Sequence, residues 1–205
     1  YKVITLKKEP INDGFHYIDF SLMGGNVRKK LKKVGKDVII YPMAKIANPE
    51  KVEIGDHSII SDFSLIDGGN GVKIGRFVHV ASYSSIIGGG KIEIGDFAGC
   101  APGCRLITGS DDYSGRSLTN PSIPSDLKPY MLRGKIIMGK HSILGTNTVV
   151  NPNIVIGEGS ATISSSYVTK DLEPWTIYGG SPARKIMDRR KDMLSDVEEV
   201  LRRLG

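Results

Sequence analysis

The sequence predicts an all-β solenoid: a coil of short parallel strands with a long protruding loop and a C-terminal α-helix. Two observations carry that fold class. Ile54-Gly55-Asp56, Ile74-Gly75-Arg76 and Ile94-Gly95-Asp96 recur every twenty residues. Within each segment an aliphatic or small apolar residue returns at every sixth position: Ile54, Ile60, Ile66; Ile74, Val80, Ile86; Ile94, Cys100, Leu106. A later tract runs unbroken through Met138, Leu144, Val150, Ile156, Thr162 and Val168. Four residues after most of these stands a small side chain, at Ser58, Ser64, Ser84, Ala98, Cys104, Ser142, Thr148, Ser160 and Ser166, with Val78 and Ile154 as larger exceptions.

A six-residue period fits neither an amphipathic helix nor a lone strand. It fits a coil whose flat faces are short strands and whose corners recur every sixth residue. Three such units make one triangular turn. The aliphatic residue fills the interior and the small one fits the tight corner beside it. Stacked turns bury a continuous core, so several are needed together. Twenty residues are three hexads plus two extra, and the extras fall in Gly68-Gly69-Asn70-Gly71 and Gly88-Gly89-Gly90. Glycine there permits the positive φ of loops that protrude from a corner.

The other segments follow from what breaks this pattern. Residues 1–33 read as an N-terminal cap, with Phe15, Tyr17, Ile18, Phe20 and Leu22 covering the first coil and Asn26–Lys33 forming a short helix. Residues 34–183 form the solenoid. Residues 107–135 interrupt it, because Asp111, Asp112, Asn120, Pro121, Pro124 and Pro129 cannot continue a stacked strand. A loop of that length is usually functional or disordered. In residues 184–205 the apolar positions Met193, Leu194, Val197, Val200, Leu201 and Leu204 follow helical spacing, which predicts an amphipathic helix capping the open end.

Composition narrows the function. The 25 glycines of 205 residues have no third-residue period, which excludes collagen. Apolar runs are as short as Val38-Ile39-Ile40, far from the ~20 residues of a bilayer span, and no signal-peptide pattern opens the chain. A cytoplasmic protein with no membrane span is expected. Lys and Arg total 28 against 22 Asp and Glu, a balance that suits an anionic ligand. The densest basic run, Arg28 to Lys33, reads as a solvated face, and no pattern of a nucleic-acid partner accompanies it. Cys100 and Cys104 are too few for a disulfide framework or a zinc site and read as small apolar residues.

The repeat resembles the hexapeptide-repeat acyltransferases over about residues 34–185. Ile156-Gly157-Glu158-Gly159-Ser160, Val168-Thr169-Lys170-Asp171-Leu172-Glu173-Pro174 and Gly180-Ser181-Pro182-Ala183-Arg184 are similar to the closing signature of the sugar O-/N-acetyltransferase branch. The resemblance implies a left-handed parallel β-helix, a homotrimer with each active site between neighbouring β-helices, and acetyl-CoA or another acyl-CoA as donor. It implies no metal. It also implies Thr146, Ser164, Thr169, Lys170 and Arg184 along the pantetheine and phosphate path, where Lys170 and Arg184 carry the charge that phosphates require.

The resembled O-acetyltransferases place a histidine in the long loop as general base. Counted without gaps, Asp111 stands there, a shift of one would place Ser110 there, and no histidine lies in this loop. The asparagine that often accompanies that histidine corresponds to Ala81. A carboxylate of ordinary acidity, near pKa ~3.9, is a poor match for taking a proton from a sugar hydroxyl. A neutral amine attacks a thioester without prior deprotonation. The expected reaction is therefore acyl transfer to the amine of a nucleotide-linked amino sugar in surface-glycan biosynthesis, with O-acetylation of a hydroxyl as the alternative.

Asp111 and His79 are the candidate catalytic residues, and Ser84, Ser85 and Asp112 the candidate acceptor contacts. His57, His79 and His141 all fall at hexad positions that point outward. Structural readings stand beside these: a turn carboxylate capping backbone amides at Asp111, a surface histidine at His79, and packing at Ser84, Thr146 and Ser164. Two further classes compete. One is a non-catalytic β-helix scaffold. The other is a metal-dependent hydratase, which requires histidines at a twenty-residue spacing, whereas His57 and His79 are 22 apart.

Overall fold

The computed structural model describes residues 19–204, so Phe15, Tyr17 and Ile18 lie outside the described residues. Three parallel sheets form the faces of a triangular coil. The first face stacks Lys33–Val34, Val52–Ile54, Gly71–Ile74, Lys91–Ile94, Lys135–Met138 and Ile154–Ile156. The second stacks Ile39–Ile40, Ile59–Ile60, His79–Val80, Gly99–Cys100, Ile143–Leu144, Ala161–Thr162 and Thr176–Gly179. The third stacks Lys45–Ala47, Leu65–Asp67, Ser85–Ile87, Arg105–Ile107, Val149–Val150 and Tyr167–Val168.

Register follows the hexads. Ile54 lies opposite Ile74, Ile74 opposite Ile94, Ile94 opposite Met138, and Met138 opposite Ile156. These side chains, and their counterparts on the other faces, are buried in one continuous core. The small corner residues are buried too, and their serines tuck hydroxyls against backbone carbonyls, Ser64 against Ser61, Ser142 against Gly139 and Ser166 against Ile163. Ser58 accepts the Val78 N–H at 3.0 Å and donates to the Gly75 carbonyl at 2.8 Å.

The Ile-Gly-Asp repeat now has a cause at each position. Isoleucine enters the core. A Cβ on Gly55 would stand 2.6 Å from the Gly75 carbonyl carbon, so no side chain fits between these coils. The aspartate accepts a backbone N–H from the preceding coil, Asp56 from Lys36 and Asp96 from Arg76, each at 2.8 Å. Burial works to raise the Asp96 carboxyl, but the Arg76 N–H and the guanidinium at 3.0 Å outweigh it and hold the group below its ordinary range. A depressed folded-state pKa stabilises the fold above the unfolded value and loses that effect as pH falls through the folded one. The stability difference between the wild type and Asp96→Asn should therefore shrink from about pH 4 downward. Urea titrations across that range check this, and a constant difference would contradict it.

Both cysteines are buried, and burial pushes the Cys104 thiol up to about 11 and the Cys100 thiol further. Cys104 Sγ donates to the Gly145 carbonyl at 3.3 Å. They pack as small apolar residues, as the sequence suggested.

One outer corner carries a stack of rings: His57 on Phe77, Phe77 on Phe97, and Phe97 on His141, with centroids 4.8, 4.8 and 5.2 Å apart. Trp175 continues the stack 6.3 Å from His141. All five residues have φ between 52° and 60°, the left-handed corner conformation. His57 and His141 thus face outward but are engaged in the stack.

The ends differ from expectation. Gly24–Lys30 is a 3-10 helix whose Val27 seals the first coil, while Phe20 is exposed and Leu22 packs on the core. Residues 184–205 are not one helix. Arg184–Asp188 is a strand running antiparallel to Thr176–Gly179, a 3-10 turn spans Asp192–Asp196, and the α-helix is confined to Val197–Leu204 with none of its residues buried. The strand therefore covers the last coil of the second face in place of the expected helix. Arg189 straps it down, donating from Nη1 to the carbonyls of His141 (2.8 Å) and Gly159 (2.9 Å).

Candidate active site

The long loop leaves the third face after Arg105–Ile107 and rejoins the first face at Lys135. Its stem is an antiparallel pair, Gly109–Ser110 with Leu132–Arg133. Thr108 seats the stem on the coil, donating to the Ile87 carbonyl at 2.9 Å and accepting the Gly90 N–H at 3.0 Å.

Asp111 follows the stem. One carboxylate oxygen, Oδ2, accepts the Asn120 N–H at 2.8 Å, and Oδ1 lies 3.5 Å from Lys128 Nζ. Two clefts meet at Ser110, Asp111 and Met131. The larger, about 770 Å³, runs along the third face past Ile107, Tyr130, Val149, Asn151 and Tyr167. The smaller, about 610 Å³, is bounded by Gly88, Gly109, Pro121, Ile123, Lys128 and Arg133. A carboxylate at that junction can meet groups arriving from both sides.

Two of the expected acceptor contacts are engaged within the chain, although Asp112 also lines the larger cleft. Ser84 is 1 % exposed, with its hydroxyl donating to the Ala101 carbonyl at 3.1 Å and accepting the Cys104 N–H at 3.2 Å, so it is a corner residue. Asp112 is 9 % exposed and its oxygens are committed to the loop's own turn: Ser114 donates its hydroxyl at 2.6 Å and its N–H at 3.0 Å, and Arg116 its N–H at 2.9 Å. The Ser114 hydroxyl leads in holding the Asp112 carboxyl below its ordinary range. Ser85 lies on the third face opposite Arg105, its hydroxyl buried with no partner among the described residues, and borders neither cleft.

His79 stands on the second face, its Nε2 2.9 Å from Ser61 Oγ, above a groove of about 500 Å³. Partial burial lowers its pKa, which favours the neutral imidazole. Within one chain His79 and Asp111 belong to different faces and are not brought together.

The residues implied for the donor gather around the last coils. Thr146 and Ser164 sit in the turns between the second and third faces, Thr169 and Lys170 follow the last strand of the third face, and Arg184 opens the final strand. Ser164, Lys170 and Arg184 are exposed, and neither Lys170 nor Arg184 makes an ion pair among the described residues. Small side chains beside free cations fit an extended, phosphate-bearing donor. The larger cleft reaches from Asp111 to Tyr167, two residues before Thr169 in the sequence. Lys128, Tyr130, Asn151 and Tyr167 carried no signal in the sequence, because each sits in an aperiodic loop or at an outward strand position.

Among the described residues no group of three or more His, Cys, Asp or Glu comes together as a metal site, and no helix is long and apolar enough to cross a membrane.

A parallel hexapeptide coil with a corner loop over two clefts defines the class by architecture: a hexapeptide-repeat β-helix protein. No protein-family model matches the chain. It is 34 % identical over 172 residues to the dTDP-4-amino-4,6-dideoxy-D-glucose acyltransferase of Escherichia coli, covering 83 % of this chain and 88 % of that one. The chain belongs to this family of sugar acyltransferases. Among solved structures it is similar to a single-site variant of AntD, an N-acyltransferase from Bacillus cereus in complex with dTDP-4-amino-4,6-dideoxyglucose and coenzyme A. That match has TM-score 0.80 and 39 % identity, covering 85 % of this chain and 94 % of that one. A second AntD structure, with dTDP and 3-hydroxybutyryl-CoA, matches with TM-score 0.81 and 37 % identity over 89 % of this chain and 97 % of that one.

Proposed function

We propose that this acyltransferase moves the acyl group of an acyl-CoA to the amine of a dTDP-linked 4-amino-4,6-dideoxy sugar for surface-glycan biosynthesis. The observation that carries this reading is the Asp111 carboxylate, in place of a loop histidine, at the junction of two clefts. A carboxylate attracts and orients an amine, whereas a hydroxyl acceptor needs a stronger proton sink. The amine lone pair attacks the thioester carbon, a C–N bond forms and the C–S bond breaks. The amine sheds its proton through Asp111 and the departing thiolate takes up one proton to leave as CoA thiol.

The donor lies along the third face beside Thr146, Ser164 and Thr169, with Lys170 and Arg184 on its phosphates. The chain works as a homotrimer in the cytoplasm. The second face supports this, since Ile39, Phe63, Tyr83, Ile143 and Ile163 leave apolar side chains uncovered there and at its margin. A neighbour packed on that face would bring His79 of one subunit toward the loop of the next.

The test follows free thiol release from acetyl-CoA and 3-hydroxybutyryl-CoA with the dTDP-amino sugar, with its hydroxyl counterpart, and with no acceptor. Release with the amine alone is the expected result. Release with the hydroxyl sugar alone would establish O-acylation, and silence without CoA binding would establish a scaffold.

A further inference from the structure

We infer that Lys128 is the positioning residue for Asp111: its buried ammonium clasps the loop so that the carboxylate is presented to the acceptor amine in one orientation. The inference rests on the proposed role of Asp111. Lys128 is 7 % exposed, an unusual place for a lysine. Its Nζ donates to the Asn120 carbonyl at 2.6 Å and lies 3.5 Å from Asp111 Oδ1. Asn120 completes the clasp, because its N–H donates to Asp111 Oδ2 at 2.8 Å. Each carboxylate oxygen thus has its own tether, and the two tethers meet at one residue.

Asn120 is itself constrained, at φ 74° and with its side-chain oxygen accepting the Ser122 N–H at 3.0 Å. Asp111, Asn120 and Lys128 lie far apart along the loop, so the clasp closes the excursion on itself. The same ammonium borders the smaller cleft. A buried cation is costly without a partner charge, and the carboxylate is the only acid in contact with it among the described ion pairs. With the carboxylate plane set from both sides, little reorganisation remains when the amine arrives.

The experiment is a double-mutant cycle on the full chain, with Lys128→Met, Asp111→Asn and the pair. It reads kcat, the KM for each substrate and the thermal midpoint. Lys128→Met is expected to lower kcat on the order of 10-fold with the KM for acyl-CoA unchanged, and to have less than about a twofold effect in the Asp111→Asn background. Equal factors in both backgrounds would overturn the inference and leave the reading of Asp111 standing. Full activity of Asp111→Asn alone would instead remove that reading, and the inference with it. If Lys128→Met fails to fold, Lys128→Gln and Lys128→Arg decide the matter. Gln keeps a donor for the Asn120 carbonyl but lacks the charge and should lose rate, while Arg should recover most of it. Wild-type turnover in Lys128→Gln would overturn the clasp.

Discussion

Asp111→Asn is expected to lower kcat/KM for the amino sugar by about 10²- to 10⁴-fold, the range over which a positioned acid–base group contributes. Asparagine keeps the shape of the side chain, and its single oxygen can still accept the Asn120 N–H that Asp111 Oδ2 accepts at 2.8 Å. What it removes is the charge that draws in the amine and takes its proton. The thermal midpoint and the affinity for CoA should therefore stay near those of the wild type, since none of the implied donor residues lines either cleft at Asp111. Steady-state kinetics beside a thermal melt make the comparison. Unchanged turnover would show that the carboxylate only caps the loop.

Leu106→Ala should produce the largest effect on stability, about 2–5 kcal/mol. Leu106 has no exposed surface and sits in register between Ile86 and Val150. The coils above and below are fixed by continuous strand pairing, so the cavity cannot close by local collapse. Urea unfolding would read the loss directly, and a cost under about 1 kcal/mol would mean that the coils can settle into the space. The position also lies one residue before the loop departs, so the variant should lose catalytic rate at temperatures where it is still folded.

What was legible in the sequence is what the coil repeats. Ile54, Ile74 and Ile94 announce their burial because each occupies the same site in successive turns, and the serine corners follow by counting. The preference for an amine also came from the sequence, through the lack of any histidine in residues 107–135. The stacked corner of His57, Phe77, Phe97, His141 and Trp175 was hidden, because rings at positive φ run against ordinary backbone preference and become neighbours only once the coils are in register. Ser84 shows the limit within the repeat itself. Its hexad position admitted both packing and substrate contact, and its bonds to Ala101 and Cys104 became visible only in the folded corner.

Outside the repeat, the helical spacing from Met193 to Leu204 matches the 3-10 turn at Asp192–Asp196 and the α-helix at Val197–Leu204. Ile186 and Met187, ahead of that spacing, belong instead to a strand paired with Thr176–Gly179, an edge that no local pattern marks. Lys128 could not be found at all, because its contact with Asp111 spans 17 residues of irregular loop.

The stacking of Lys91–Ile94 on Lys135–Met138 keeps the same register as that of Gly71–Ile74 on Lys91–Ile94, although the whole loop intervenes in the first pair and a single plain coil in the second. The rod does not sense the detour. Lineages built on such a chassis can lengthen, shorten or exchange that one cassette while the load of folding stays with the coils, so acceptor preference and fold integrity can be inherited as separate traits.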